Sequence, residues 1–141
     1  MTNQQSALQP QLNSVQEVPE QERNHMLPKY FGHKMMQVEA TIFGTMGNLS
    51  SDYTSGYWKF YEIPDGFYMA PDYETDLKIQ VSGDYFDDEM SADAAGIVVC
   101  LFVYCHFATK YPEGNFGDLY HALRDFASGH AESSKIYSAI D

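Results

Sequence analysis

The sequence predicts a single α+β domain, in which a small antiparallel β-meander of three to four strands packs with a central buried helix and additional helices. Residues 94–109 contain no formally charged residue, so this segment is stable in water only when other elements enclose it. Segments with strand patterns precede it, and segments with helical spacing lie on both sides. A helix, a run of strands and then helices is the order expected of the α+β class.

The uncharged segment is predicted to be the central helix. Ser91 is suited to cap its amino end, and Asp93 places a negative charge where the helix dipole favours one. Lys110 lies at the other end, and Pro112 prevents the helix from continuing. Its many β-branched and aromatic residues leave a buried strand as an alternative, but the length and the end signals favour a helix. A membrane span requires about 20 apolar residues, and the uncharged run is shorter.

The other elements follow from periodicity and turn residues. In the first helix, apolar residues recur at spacings of three and four, whereas one later strand alternates apolar and polar residues. Pro64-Asp65-Gly66 is predicted to form a tight turn, with proline fixing one φ angle and glycine accepting a positive one. Gly83-Asp84 fits a second hairpin turn. The predicted elements are helix 33–49, strands 57–63, 67–70, 77–81 and 85–90, the central helix, and helices within 118–129 and 133–140.

The ends of the chain and its cysteines bear on domain organisation and location. Residues 1–19 are predicted to be a disordered tail, because they are rich in Gln and poor in large apolar residues. Residues 20–141 then form the domain. Cys100 and Cys105 are too far apart on a helix to form a disulfide, so we expect two buried free thiols. Together with the lack of an export pattern at the amino terminus, they indicate a reducing cytoplasm.

The charge of the chain restricts its partners. Acidic residues outnumber basic ones by 20 to 8, which gives a net charge of −12 and argues against direct nucleic-acid binding. Residues 72–93 contain eight acids and a single lysine, Lys78. This segment is either a solvated rim or a surface for a basic partner. The eight acids are Asp72, Glu74, Asp76, Asp84, Asp87, Asp88, Glu89 and Asp93.

The sequence contains no pattern typical of catalysis or metal binding. Neither a G-x-S-x-G nor an H-E-x-x-H motif occurs. The acids from Asp72 onwards begin with the spacing of a calcium loop, but Leu77 and Gly83 occupy the positions that require glycine and glutamate. The cysteines and histidines lack the spacing of a zinc site. We therefore expect no catalytic residues, no metal and no cofactor.

Three residues are candidates for contact with a partner. Trp58, the single tryptophan, lies in a predicted strand and is either a core residue or a contact residue, since exposed tryptophans are favoured in interface hot spots. Glu39 interrupts the apolar side of its helix and could belong to a buried pair. Arg23 lies near the start of the domain and could equally be an ordinary surface charge.

Five segments, in this order, resemble the plasmid-borne antirestriction proteins of the ArdB/KlcA type. The resemblance implies a small α+β protein of the bacterial cytoplasm, not an enzyme, that protects incoming plasmid or phage DNA from type I restriction-modification systems. It also implies that Arg23, Glu39 and Trp58 are partner-binding residues. The segments are ERNHMLPKYFGHKMMQVEATIFGTM, GYWKFYEIPDGFYMAPD, SADAAGIVVCLF, LYHALRDFASGH and IYSAID.

Three modes of action are compatible with this resemblance. In the first, a defined patch contacts the type I restriction-modification enzyme or an associated host factor, without direct nucleic-acid or membrane binding; we favour this one. In the second, the acidic surface mimics DNA, although duplex DNA spreads its charge evenly along its length and the acids here are concentrated in one part of the chain. In the third, a plasmid-maintenance protein affects restriction indirectly.

Overall fold

The computed structural model describes residues 14–83 and 85–141. Within these ranges it contains five α-helices and five β-strands, and it confirms the α+β class. In chain order the elements are β1 (Gln16–Glu17), α1 (Arg23–Phe31), α2 (Met35–Leu49), β2 (Trp58–Ile63), β3 (Gly66–Pro71), β4 (Leu77–Val81), β5 (Phe86–Met90), α3 (Ala92–Lys110), α4 (Phe116–Ala127) and α5 (Ser133–Ile140).

The strands are divided between two antiparallel sheets, where the sequence predicted one meander. β1, β2 and β3 form the first sheet in that order, and β4 pairs with β5 in the second. The outer edge of β3 is occupied by α3: the hydroxyl of Tyr104 donates to the carbonyl of Phe67 (2.5 Å), and the Cys100 thiol lies 3.6 Å from the carbonyl of Met69. Two carbonyls at this edge therefore bond to helix side chains rather than to a further strand.

Helix α3 lies at the centre of the fold, as predicted. The Ser91 hydroxyl caps it by accepting from the N–H of Ala94 (3.1 Å), and every residue from 94 to 101 is buried. Helices α2, α4 and α5 and strand β3 pack around it. By length and composition alone α3 could cross a membrane, but 67% of its most apolar window is buried inside the protein. This burial is what a core helix requires.

Close packing between α3 and β3 depends on a glycine. A Cβ atom built on Gly96 would lie 2.5 Å from the Cβ of Ala70 and 2.6 Å from both the Cα of Ala70 and the carbonyl oxygen of Met69. Real Cβ atoms do not approach other atoms so closely. Gly96 therefore sets the distance between the central helix and the first sheet.

The first hairpin turn differs in detail from the prediction. Ile63 pairs with Gly66, so the turn consists of Pro64 and Asp65, and the residue with positive φ is Asp65 (62°) rather than the glycine. Aspartate tolerates this conformation better than most residues. Gly66 is instead confined by space, since a Cβ there would lie 3.0 Å from that of Ala122 on α4. In the second predicted turn, Asp84 lies outside the described residues.

The folded domain begins earlier than predicted. Gln16 and Glu17 pair with Glu62 and Tyr61 of β2, and the N–H of Val18 donates to the carbonyl of Phe60 (2.8 Å). The predicted tail is therefore too long at its carboxyl end, and residues 1–13 lie outside the described residues. Main-chain pairing with a strand edge depends little on side-chain composition, so the Gln-rich composition could not reveal it. Helix α1 also continues through Pro28 to Phe31, although proline disfavours a helical conformation in the residue before it.

The two cysteines differ in environment, which corrects the prediction that both are buried. Cys100 is fully buried, and burial raises the pKa of its thiol to about 12, whereas Cys105 is exposed on the outer side of α3. We expect a thiol reagent such as DTNB to modify one cysteine rapidly in the native protein and both after unfolding, because thiolate and access are both required. Cys105→Ser should abolish the rapid phase. Two rapid thiols in the native protein would contradict the burial of Cys100.

Candidate functional site

Trp58 lies in the core of the first sheet. Its side chain is 5% exposed, and its ring contacts those of Phe43 and Tyr53, with centroid distances of 5.2 and 5.8 Å. The indole N–H donates to the hydroxyl of Tyr53 (3.0 Å). Of the two roles left open by the sequence, the structure favours the core role. Any effect of Trp58 on a partner must therefore pass through the residues that it supports.

Helix α2 exposes an unusually apolar face. Met36 is 76% exposed and Phe43 is 36% exposed. They are seven residues apart, so they lie on the same side of the helix. Glu39 lies between them, one turn before Phe43, and is the one formally charged residue among the 15 of this helix. We call Met36, Glu39 and Phe43 the α2 patch. In a chain with 20 acids, so little charge on an exposed helix face is unusual.

The α2 patch has few interactions of its own. Glu39 is half-buried, and its carboxylate makes no hydrogen bond or ion pair with any residue that the structure describes, so it does not belong to a buried pair. Beside the patch, a Cβ on Gly44 or Gly47 would meet nothing within 4 Å. A partner could therefore approach the backbone of this helix closely.

Arg23 lies on another element, at the start of α1. Its guanidinium carbon lies 5.7 Å from the centre of the Phe60 ring, a distance at which a cation is attracted to an aromatic face. Its Nε atom is buried and has no hydrogen-bond partner. With Glu20, Tyr57 and Asp72 it lines a shallow cleft of about 300 Å³, which we call the Arg23 cleft.

The Arg23 cleft combines an incompletely paired cation with an exposed ring. Neither Glu20 nor Asp72 forms a salt bridge with Arg23, although Lys59 lies 3.7 Å from Asp72. Tyr57 is 78% exposed, and its carbonyl accepts from the N–H of Asp72 (2.8 Å). A guanidinium with an unused donor beside an exposed tyrosine is typical of protein contact sites, which are enriched in both residue types.

The structure connects the three candidate residues through two aromatic side chains. Trp58 and Phe60 are two residues apart on β2 and so point to the same face of the sheet. Phe60 lies under Arg23, and Phe43 joins Trp58 to the helix that carries Glu39. The sequence did not predict this connection, because Phe43 and Phe60 have no feature that distinguishes them from other apolar residues of the core.

Two tyrosines that sequence reasoning missed hold the loop beside Trp58. The Tyr73 hydroxyl donates to the carbonyl of Ser55 (2.8 Å) and accepts from the N–H groups of Thr54 and Ser55. Hydrogen bonding with the Thr54 side chain and backbone lowers the pKa of the Tyr73 phenol. Its ring stacks on that of Tyr53 at 6.0 Å. No local pattern marks these tyrosines, since their partners lie up to 20 residues away.

The acidic residues do not form one uniform surface. Asp87, Asp88 and Glu89 are exposed on β5. Asp93, however, is only partly exposed and bonds within the protein: it accepts from the Tyr68 hydroxyl (2.7 Å) and lies 2.8 Å from the Nε2 atom of His130. No group of three or more potential metal ligands occurs within residues 14–83 and 85–141. The segment thus contains both structural carboxylates and solvated ones.

Comparison with known proteins shows what this architecture is. The model of the antirestriction protein family matches residues 51–141. The chain belongs to the antirestriction protein family. It is 45% identical over 132 residues to the antirestriction protein KlcA of Escherichia coli, an alignment that covers 88% of this chain and 90% of that protein. It is also 37% identical over 133 residues to YfjX of Escherichia coli K12, which is uncharacterized, covering 91% and 88% of the two chains.

The fold of this antirestriction family member also matches a solved structure. A chain from the structures of the KlcA and ArdB proteins superposes with a TM-score of 0.82 at 44% sequence identity, covering 90% of this chain and 95% of that one. Those proteins have a novel fold, and they act against type I DNA restriction systems in vivo but not in vitro. The family resemblance of the five sequence segments is confirmed.

Proposed function

We propose that this protein protects incoming DNA from type I restriction in the bacterial cytoplasm by contacting a protein of the restricting cell, and that it is not an enzyme. The α2 patch and the Arg23 cleft form the contact surface, with Trp58 and Phe60 as their common support. The partner is the type I restriction-modification enzyme or a host factor associated with it. Arg23 and Glu39 are partner-binding residues, whereas Trp58 acts by holding Phe43 and Tyr53 in place.

One observation carries this proposal: the close relatives KlcA and ArdB act in vivo but not in vitro. An inhibitor that simply occupied the DNA channel of the restriction enzyme should also work with purified components. Activity confined to cells points instead to a component or a cellular state that the purified assay lacks. At 44% identity and a TM-score of 0.82, this chain presents essentially the same framework for that interaction.

The chemistry of the surface supports a protein partner. Protein interfaces are built around apolar and aromatic anchors with few charges at their centre. Met36, Phe43 and Tyr57 provide exposed apolar area, while Arg23 and Glu39 provide one cation and one anion without salt bridges. A surface of this composition can bind a complementary protein face, but it offers little to the phosphates of nucleic acid.

The proposed activity is tested by plating unmodified phage on restricting and non-restricting hosts that express the protein. We expect the efficiency of plating to rise on the restricting host alone. An equal effect on both hosts would indicate a plasmid-maintenance or general physiological role and would contradict antirestriction. The partner is then identified by crosslinking in restricting cells and analysis of the attached protein. The folded variant Phe43→Ala is the matched control, because it should lose the crosslink that the wild-type protein forms.

Variants of the exposed acidic residues on β5 distinguish charge mimicry of DNA from contact through the α2 patch. We expect the triple variant Asp87→Asn, Asp88→Asn, Glu89→Gln to retain protection within about twofold, because the three residues lie on β5, outside the α2 patch and the Arg23 cleft, and exposed charges away from an interface contribute little. These side chains are exposed on β5, so the fold should persist. The readout is the same plating assay, with circular dichroism as the control for folding. Loss of protection in a folded triple variant would favour mimicry over contact through the α2 patch.

A further inference from the structure

The basic residues of this acidic protein are unevenly placed. The chain contains eight Lys and Arg residues, and Lys29, His33 and Lys34 line one cleft of about 300 Å³ between the end of α1 and the loop before α4. Lys110 adjoins it through Tyr111. No carboxylate lines this cleft within the described part of the chain. We call it the Tyr111 cleft. It shares no lining residue with the Arg23 cleft.

Two lysines from different elements converge on one aromatic ring. The ammonium groups of Lys34 and Lys110 lie 3.7 and 5.6 Å from the centre of the Tyr111 ring. Neither forms a salt bridge with any residue for which the structure gives a position. Lys110, as the last residue of α3, also complements the helix dipole. That explanation does not extend to Lys34, which reaches the same ring from a separate segment.

Lys29, the third lysine at the cleft, differs from Lys34 and Lys110 because it has an anionic partner within the protein. Lys29 forms a salt bridge of 2.8 Å with Glu62, and the hydrogen bond from Lys29 is the main reason that the pKa of Glu62 lies below its ordinary value. Tyr30 donates to the same carboxylate. The charge of Lys29 is therefore compensated inside the protein. Lys34 and Lys110 have no such anion among the described residues and lie beside the Tyr111 ring instead.

The cleft is held open by rigid contacts. Gly32 has a positive φ of 60° at the end of α1, which turns the chain so that Lys34 returns towards Tyr111. The Asn115 side chain donates to the carbonyl of Tyr30 (2.8 Å) and ties the two walls together. Phe31 stacks on Phe116 at 6.3 Å beneath them. Because the walls are already in place, a ligand loses little free energy to ordering them.

We propose that the Tyr111 cleft is a second docking site, which takes an acidic peptide segment of a partner protein. Carboxylates of such a segment pair with Lys34 and Lys110, whose ammonium groups lie near the Tyr111 ring. Duplex DNA is the less suitable anion, because it carries a charge about every 1.7 Å. Outside this small cleft it would meet a protein of net charge −12. A short acidic segment confines its charge to the cleft.

The test measures binding of a fluorescein-labelled peptide rich in Asp and Glu to the full chain by anisotropy. We expect saturable binding that weakens as salt is raised, since exposed charges are screened over about 10 Å at 0.1 M ionic strength. The Asn/Gln version of the peptide should not bind. The double variant Lys34→Gln, Lys110→Gln should weaken binding about tenfold, which corresponds to about 1.4 kcal/mol.

Matched controls separate the cleft from net charge and from folding. Lys59→Gln with Lys78→Gln makes the same change in net charge elsewhere and should leave binding within about twofold. Lys34→Arg with Lys110→Arg keeps both cations on the ring and should restore binding. Equal weakening by both Gln pairs would overturn the proposal, as would no binding of the acidic peptide at low salt. Tighter binding of a duplex oligonucleotide of similar charge would also overturn the proposal and indicate a nucleic-acid site. Self-association of the wild-type protein that is lost in the Lys34/Lys110 variant would overturn it too and indicate a contact between two copies of the chain.

Discussion

Gly96→Ala is expected to destabilise the protein by about 3 kcal/mol or more. The new methyl group would lie 2.5–2.6 Å from Ala70 and from the carbonyl oxygen of Met69. Two of these three atoms belong to the backbone of β3, so no flexible side chain can move away. Overpacking of a core commonly costs about 1–3 kcal/mol, and separating α3 from β3 would also weaken the bonds from Tyr104 and Cys100. We expect a fall in Tm of about 10 °C.

A glycine-to-alanine substitution at Gly44 provides the control for Gly96→Ala. Gly44 is also in a helix, but a Cβ there would meet nothing within 4 Å. Gly44→Ala should therefore stabilise the protein by up to about 1 kcal/mol, because alanine has the higher helix propensity. Urea unfolding of both variants gives the comparison. A Gly96→Ala protein as stable as the wild type would mean that the helix and sheet are not in the close contact described above.

The second large effect is expected at Trp58 and Phe43. Trp58→Ala should reduce stability by about 3–5 kcal/mol, because it leaves a cavity in the core, and should also reduce protection. Phe43→Ala removes a ring that is already 36% exposed, so its cost in stability should be about 1 kcal/mol. We nevertheless expect it to lower protection about tenfold or more, as loss of an aromatic hot-spot residue does. Plating efficiency and urea unfolding are measured on each variant.

The variant Trp58→Phe tests whether Trp58 contributes to protection by positioning its neighbours or only by filling the core. This variant keeps an aromatic ring against Phe43 but loses the N–H that donates to Tyr53. If Trp58 acts by positioning its neighbours, the variant should be folded and show a smaller loss of protection than Phe43→Ala. Full protection by folded Phe43→Ala would exclude the α2 patch as the contact surface. Full protection by a folded Trp58→Ala protein would assign the indole to packing alone.

Much of the fold was predictable because its signals are local. The capping serine at residue 91 and Lys110 near the carboxyl end of α3 both lie within the chain segment that they delimit. The alternation in β4 likewise needs only the sequence of that strand, and the structure buries Leu77 and Ile79 while exposing Lys78 and Gln80. Predictions that depend on neighbouring residues along the chain were therefore accurate to within a few residues.

Apart from two local details, at Pro28 and in the Pro64–Gly66 turn, the incorrect predictions involve contacts between distant segments. β1 pairs with an edge of β2 through main-chain groups of residues 16–18, and the strands divide into two sheets while α3 side chains bond to two carbonyls of β3. The expectation that Cys105 is buried assumed a helix covered on every side. The structure leaves one side of α3 partly open, at Cys105 and His106.

The candidate site was predictable only as a set of residues. The family motifs pointed to Arg23, Glu39 and Trp58, but they did not show that Phe60 and Phe43 connect these residues or that the indole is buried. The clustering of Lys34 and Lys110 on Tyr111 was equally invisible, because the first lysine is 76 residues from the second in the chain.

The sequence by itself determined the family, the acidic excess, the central helix and the limits of most other elements, since each of these depends on composition or on a pattern within one segment. The tertiary structure alone decided which side chains of those elements are exposed to solvent and which face the core. Burial depends on what other segments cover, and a helix or strand has no local record of its distant neighbours. For this protein, that difference separates Trp58, which is buried, from Phe43 and Tyr57, which are exposed and which we propose as contact residues.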